Sequence, residues 1–152
     1  MRHAKNMTKL GRPAEARKAL FSSMCANLIE EQRIKTTIVK AKQTRMFAEK
    51  LVTVAKRALA AGKPEALLLG KRKALESLRH RKHVDKLFDV IAPVYKDRAG
   101  GYTRITKLGR RGSDSSEMAL LEWVDMVPAR AAARQAKAEA AEKAAAAATK
   151  KD

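Results

Sequence analysis

Gly100-Gly101-Tyr102-Thr103-Arg104-Ile105-Thr106-Lys107-Leu108 is the stretch on which the fold turns. Two glycines release a β-rich run, and a second such run, Met118-Ala119-Leu120-Leu121-Glu122-Trp123-Val124, follows a connection from Gly109 to Glu117 rich in Gly, Ser and charge. Apolar and β-branched runs bounded by turn residues predict two strands, joined here as a β-hairpin with a long loop. A lone hairpin is marginal in water. Upstream, Arg33-Ile34-Lys35-Thr36-Thr37 breaks helical spacing with an alternating β-branched run, which supplies a third short strand. The expectation is an α+β fold: about four helices on a small three-stranded sheet.

The helices are read from their punctuation. Pro13 suits a first helical position and Glu15 complements the positive end of a helix over 14–31, where Leu20, Met24 and Leu28, flanked by Phe21, Cys25 and Ile29, give a wide apolar face. Thr37 can cap a second helix over 38–61, with Ala48, Leu51, Val52, Ala55 and Leu59 on one face and Lys42, Arg45, Lys50, Lys56 and Arg57 around the remainder. Gly62 ends it, and Pro64 begins a third that runs to about Arg79 with Leu67, Leu68, Leu75 and Leu78 available to pack inward. Val84, Leu87, Phe88 and Ile91 then give the spacing of a short fourth helix, which Pro93 brings towards its end.

Charge narrows the partners. Of 152 residues, 34 are Lys or Arg and 16 are Asp or Glu, a net charge of +18 that favours a polyanionic partner. The excess is spread along the chain and is densest over 1–18, where Arg2, His3, Lys5, Lys9 and Arg12 form a basic arm with too few apolar residues to fold alone. Leu, Ile, Val and Phe number only 30, so the core is expected to be small. Three regions follow: an arm over 1–12, a globular domain over 13–127, and an alanine-rich, conditionally helical tail over 128–152 with no large apolar residue to dock it after Pro128.

Several chemistries fail on residue type. One cysteine, Cys25, excludes a disulfide framework and fits a reducing cytosol, and it reads most simply as a small core residue. No run is long and apolar enough for a membrane span, and no secretory signal is expected. Gly70-Lys71 fails as a phosphate loop, because Glu65 stands where a glycine is needed and Arg72 replaces the magnesium-binding hydroxyl. His80 and His83 could share a helical face, but the intervening Arg81 and Lys82 oppose a cation, so no metal, cofactor, small-molecule substrate or catalysis is expected. Gly100 and Gly101 let a backbone come close to another chain, while Arg98, Arg104 and Lys107 supply charge and Tyr102 a stacking surface. An ordinary glycine turn with Tyr102 as edge packing fits the same residues.

Met1-Arg2-His3, Ile34-Lys35-Thr36-Thr37 with Lys40-Ala41-Lys42 and Arg45, Lys86-Leu87-Phe88, and above all Arg98-Ala99-Gly100-Gly101-Tyr102-Thr103-Arg104-Ile105 resemble the bacterial large-subunit ribosomal protein seventeen family. Met118-Ala119 and Glu122 continue the pattern in order, and the resemblance covers about residues 1–125. It implies a non-enzymatic component of the cytoplasmic ribosome that contacts large-subunit ribosomal RNA beside neighbouring ribosomal proteins. The candidate RNA-binding residues are then Arg2, His3, Lys5, Lys9, Arg12, Arg17, Lys35, Lys40, Lys42, Arg45, Arg98, Gly100, Gly101, Tyr102, Arg104, Lys107, Arg110 and Arg111. Ala4, Trp123 and the tail depart from what is common in the family. A nucleoid-type DNA-binding protein would share size and charge. The chain lacks an evident helix-turn-helix pattern, and its scattered charge suits an irregular folded RNA better than one groove.

Overall fold

The computed structural model describes residues 8–124, so Arg2, His3 and Lys5 of the arm and the whole tail lie outside the described residues. Each element expected from the spacing is present: α1 (Ala14–Glu31), β1 (Arg33–Thr37), α2 (Ile38–Ala60), α3 (Pro64–Leu78), α4 (Arg81–Lys86), β2 (Thr103–Arg110) and β3 (Glu117–Trp123). α4 passes through a π-helical turn (Leu87–Ile91) into the short α5 (Ala92–Val94), so the fourth helix is one rod with a wide turn inside it. An α-helical spacing cannot announce that turn. The turn keeps Leu87, Phe88, Ile91 and Ala92 all buried.

The sheet is antiparallel in the order β1-β3-β2, which makes the last strand in sequence the central one. In register, Ile34, Leu121 and Ile105 form one cross-strand row and Arg33, Glu122 and Arg104 the next. Period-two alternation therefore sends Leu121, Ala119 and Trp123 towards the helices. Trp123 fixes this face: its indole N–H donates to the Leu28 carbonyl of α1 at 3.0 Å, and the residue is 1% exposed. A buried tryptophan truncated to alanine typically costs about 3–5 kcal/mol, so this contact is a principal tie between sheet and helices.

α2 reaches both the sheet and α3 through small residues, Ala41, Ala48, Ala55 and Ala58, all buried. Gly70 of α3 meets it so closely that a Cβ there would lie 2.5 Å from the Ala58 Cβ. The contact stripe of α3 is thus Leu67, Gly70, Ala74 and Leu78. Leu68 and Leu75, expected inside, stand about 100° round the helix from it and are 54% and 42% exposed. Leu59 of α2 is likewise 40% exposed, because Ala55 and Ala58 take the contact face.

The hairpin also differs from the expected long loop. β2 continues to Arg110 by means of a bulge at Leu108, where the register steps from Lys107 opposite Ala119 to Gly109 opposite Met118. The connection contracts to 111–116 and is closed by the Arg111 N–H on the Ser116 carbonyl at 2.9 Å and the Ser115 N–H on the Arg111 carbonyl at 2.8 Å.

Candidate nucleic-acid interface

The sheet presents its face away from the helices as two charged rows. Arg33 and Arg104 stand on either side of Glu122, and Lys35 and Thr106 on either side of Leu120, on neighbouring strands about 4.8 Å apart. Arg104 donates from Nε and Nη2 to Glu122 Oε1 at 2.9 and 2.6 Å. The Glu122 side chain is 6% exposed and that of Arg104 57%, so a covered carboxylate holds an open guanidinium in place. A guanidinium has more N–H donors than this one oxygen uses, and the others remain for a second anion.

A second line of charge follows α2. Ile38, Lys42, Arg45, Glu49 and Lys56 recur near helical spacing along one side. At the hairpin end, Ile38 shares a depression of about 230 Å³ with Lys107, Gly109 and Arg110. Midway, Glu49 Oε1 accepts from Thr103 Oγ1 at 3.0 Å and from Arg45 Nε at 3.1 Å. At the far end, the Lys56 ammonium donates to the Arg98 carbonyl and lies 3.3 Å from the Tyr102 hydroxyl. α2 therefore runs beside β2 from the hairpin end to the glycine turn, and Lys42, Arg45 and Lys107 share that seam. Lys40, two positions after Ile38, lies about 200° round the helix and is not brought to it.

The glycine turn is open. Gly101 has φ +64°, in the left-handed region that favours glycine, and no atom lies within 4 Å of a Cβ built on Gly100 or Gly101. Arg98 curls over it, its Nε donating to the Gly100 carbonyl at 3.2 Å. Tyr102 is a correction. It is 3% exposed, packs 5.2 Å from Tyr95 and carries the Lys56 ammonium 5.1 Å from its ring centroid, so it belongs to the core and is not an open stacking surface.

The remaining candidates lie apart. Arg12 donates to the Leu10 carbonyl at 2.9 Å and Arg17 to the Arg12 carbonyl at 3.1 Å, ordering the entry to α1. Among the described residues, no hydrogen bond or ion pair joins Lys9, Arg12 or Arg17 to the sheet. Arg111 is held by Asp114 at 2.9 and 2.6 Å, and that guanidinium with Ser116 keeps the Asp114 carboxyl well below the usual carboxylate range. His83 Nε2 lies 3.6 Å from Glu30, which also accepts from Lys82 at 2.6 Å. Cys25 is buried, and desolvation pushes its thiol up to about 12. Among the described residues, no group of three His, Cys, Asp or Glu could hold a metal ion, and no helix is long and apolar enough to cross a membrane.

Sequence reasoning omitted Arg33 and Lys56. The alternation Arg33-Ile34-Lys35 carried the signal for the first, since a strand that turns Ile34 towards the core shows both cations on the other face. Nothing local marked Lys56, which meets Tyr102 across 46 residues of sequence.

Comparison with known proteins bears on the same region. The family described as "Ribosomal protein L17" matches residues 20–124. The chain is similar to "Large ribosomal subunit protein bL17" of Jannaschia sp. (strain CCS1), 46% identical over 92% of this chain and 96% of the relative. It is 49% identical to the protein of that name from Rhodopseudomonas palustris (strain TIE-1), over 82% of this chain and 84% of the relative. For that of Cereibacter sphaeroides (strain ATCC 17029 / ATH 2.4.9), identity is 44% over 93% of this chain and 97% of the relative.

Proposed function

The chain belongs to the ribosomal protein L17 family, and from that premise we propose that it binds and stabilises large-subunit ribosomal RNA as a non-catalytic constituent of the large ribosomal subunit in the cytoplasm. The observation that carries the RNA reading is the pair of charged surfaces flanking β2. Arg33, Lys35 and Arg104 lie on one side of the sheet and Lys42, Arg45 and Lys107 along the other, around a strand that is itself the sheet's edge. Charge on an edge strand also blocks strand-to-strand aggregation, and one set of residues serves both ends. Neighbouring ribosomal proteins and the RNA together cover what a small core leaves open.

Contact is through phosphates for the most part, because the aromatic rings Tyr95, Tyr102 and Trp123 are buried. If about six to ten phosphates are neutralised, affinity for large-subunit ribosomal RNA falls on the order of a thousandfold or more between about 50 and 200 mM salt. Filter binding of the full chain measures this, and co-sedimentation with large subunits in moderate-salt, high-magnesium gradients tests the assignment in cells. A salt-insensitive curve, or equal affinity for duplex DNA, refutes the reading.

A further inference from the structure

We propose that the groove between the C-terminal end of α2 and α5 receives one extruded base of the bound RNA, an inference that rests on the RNA-binding reading and adds a mode of contact to it. The groove holds about 430 Å³. Its apolar lining is Leu59, Ala60, Ala92 and Pro93, and its cationic lining is Lys56, Arg57 and Lys96, with no carboxylate among the lining residues. This combination selects its occupant. Phosphates alone would leave the apolar lining unused, whereas a purely apolar segment would gain nothing from three cations. A nucleotide carries a flat base with apolar faces and, one sugar away, a charged phosphate.

Two features favour this occupant over others. Leu59 keeps 40% of its surface exposed although it lies beside a helix that could have covered it, and Val94 at the adjoining end of α5 is 50% exposed. Unstacked bases in RNA are commonly held against apolar or aromatic surfaces and guanidinium planes, and here Leu59 and Pro93 provide the wall while Arg57 is free to lie over the base. The groove is also continuous with the candidate interface. Lys56, on its rim, donates to the Arg98 carbonyl at the start of the open glycine turn, so a strand whose backbone follows Gly100 and Gly101 arrives beside it. Lys96 and Arg57 form no ion pair among the described residues, which leaves their charge for the phosphate.

The test uses the full chain and transcribed large-subunit ribosomal RNA. Leu59→Asn removes the apolar wall at an exposed site without changing charge. Binding is expected to weaken roughly five- to tenfold with an unchanged salt slope, whereas Lys96→Gln lowers the slope by about one. Parent-like affinity of Leu59→Asn overturns the proposal. A photoreactive benzoylphenylalanine at position 59 in assembled subunits is expected to capture a ribosomal RNA nucleotide. Capture of a ribosomal protein, such as an acidic apolar segment, overturns it. The same probe in place of Thr106, on the outward sheet face, separates the two claims. RNA captured from Thr106 but not from Leu59 defeats the groove alone, and RNA captured from neither defeats the RNA-binding reading as well.

Discussion

Replacing Gly70 with alanine sets two effects against each other, and the structure decides between them. In an exposed helix interior the change stabilises by about 1 kcal/mol, since glycine loses more backbone freedom on folding. Here the new Cβ would stand 2.5 Å from the Ala58 Cβ and 3.4 Å from Phe88 Cζ. The first distance is far inside ordinary carbon contact, and both atoms are rigidly attached to helix backbones, so α2 and α3 must separate. Overpacking of this kind typically costs about 1–3 kcal/mol. With the clash near the upper end of that range, the net loss is about 1–2 kcal/mol. At an m-value of roughly 2 kcal/mol/M the urea midpoint falls by about 0.5–1 M, read by far-ultraviolet circular dichroism. Gly100→Ala is the control, because nothing lies within 4 Å of its added Cβ. A Gly70→Ala chain as stable as the parent would show that α3 packs on α2 less closely than described.

Three further outcomes are expected. Cys25 resists a disulfide reagent at pH 8 until the chain unfolds; its thiol is raised from 9.0 to about 12 by burial, so stability falls as pH rises through that interval, where the unfolded chain loses a proton that the folded one keeps. Fast labelling of the native chain contradicts the buried placement. Tyr102→Phe removes a hydroxyl 3.3 Å from the Lys56 ammonium and costs about 1 kcal/mol of stability, while RNA affinity is retained; lost affinity at parent stability would restore Tyr102 as an RNA contact. Truncation after Pro128 leaves subunit assembly intact, because the family motifs all lie before it, and subunits lacking the truncated protein would show the tail to be an anchor.

What the sequence made legible was local. Gly62 and Pro64 mark helix ends by backbone preference, and the alternation at Arg33-Ile34-Lys35-Thr36-Thr37 marks a strand with one covered face. Thr37 does stand at the N-cap of α2, but its side chain makes no capping hydrogen bond there. Residue size misled where packing depended on closeness. Leucine content suggested that Leu68 and Leu75 face the core, but the α2–α3 approach is set by Gly70, Ala74 and Ala58, which a hydrophobic count undervalues. The π-helical turn was hidden because its side chains keep apolar spacing within one turn of an α-helix. Tyr102 was ambiguous for a related reason: a tyrosine beside glycines reads equally as a stacking surface or as packing, and only the position of Tyr95, seven residues earlier, settles it. The seam beside β2 depends on Glu49 meeting Thr103 and Lys56 meeting Tyr102, contacts whose partners are far apart in sequence.

The acidic residues near the candidate interface make its charge more selective than the total of +18 suggests. Glu49 holds Arg45, Glu122 holds Arg104 and Asp114 holds Arg111, each through a guanidinium nitrogen at 3.1 Å or less. Each pairing subtracts one charge from the field offered to a polyanion. Each also restricts a long side chain whose freedom would otherwise be lost on binding, a cost of roughly 1.5–2 kcal/mol for an unrestrained arginine. Lys35, Lys42 and Lys107 have no such partner among the described residues and act as mobile point charges. Under the proposed RNA-binding role the two sets divide the work: the lysines set the long-range, salt-sensitive attraction, and the held arginines fix the register in which phosphates are met. In that proposal Arg104 is the one best fitted to fix register, because the acidic side chain beneath it is 6% exposed, whereas those of Glu49 and Asp114 are 26% and 45% exposed.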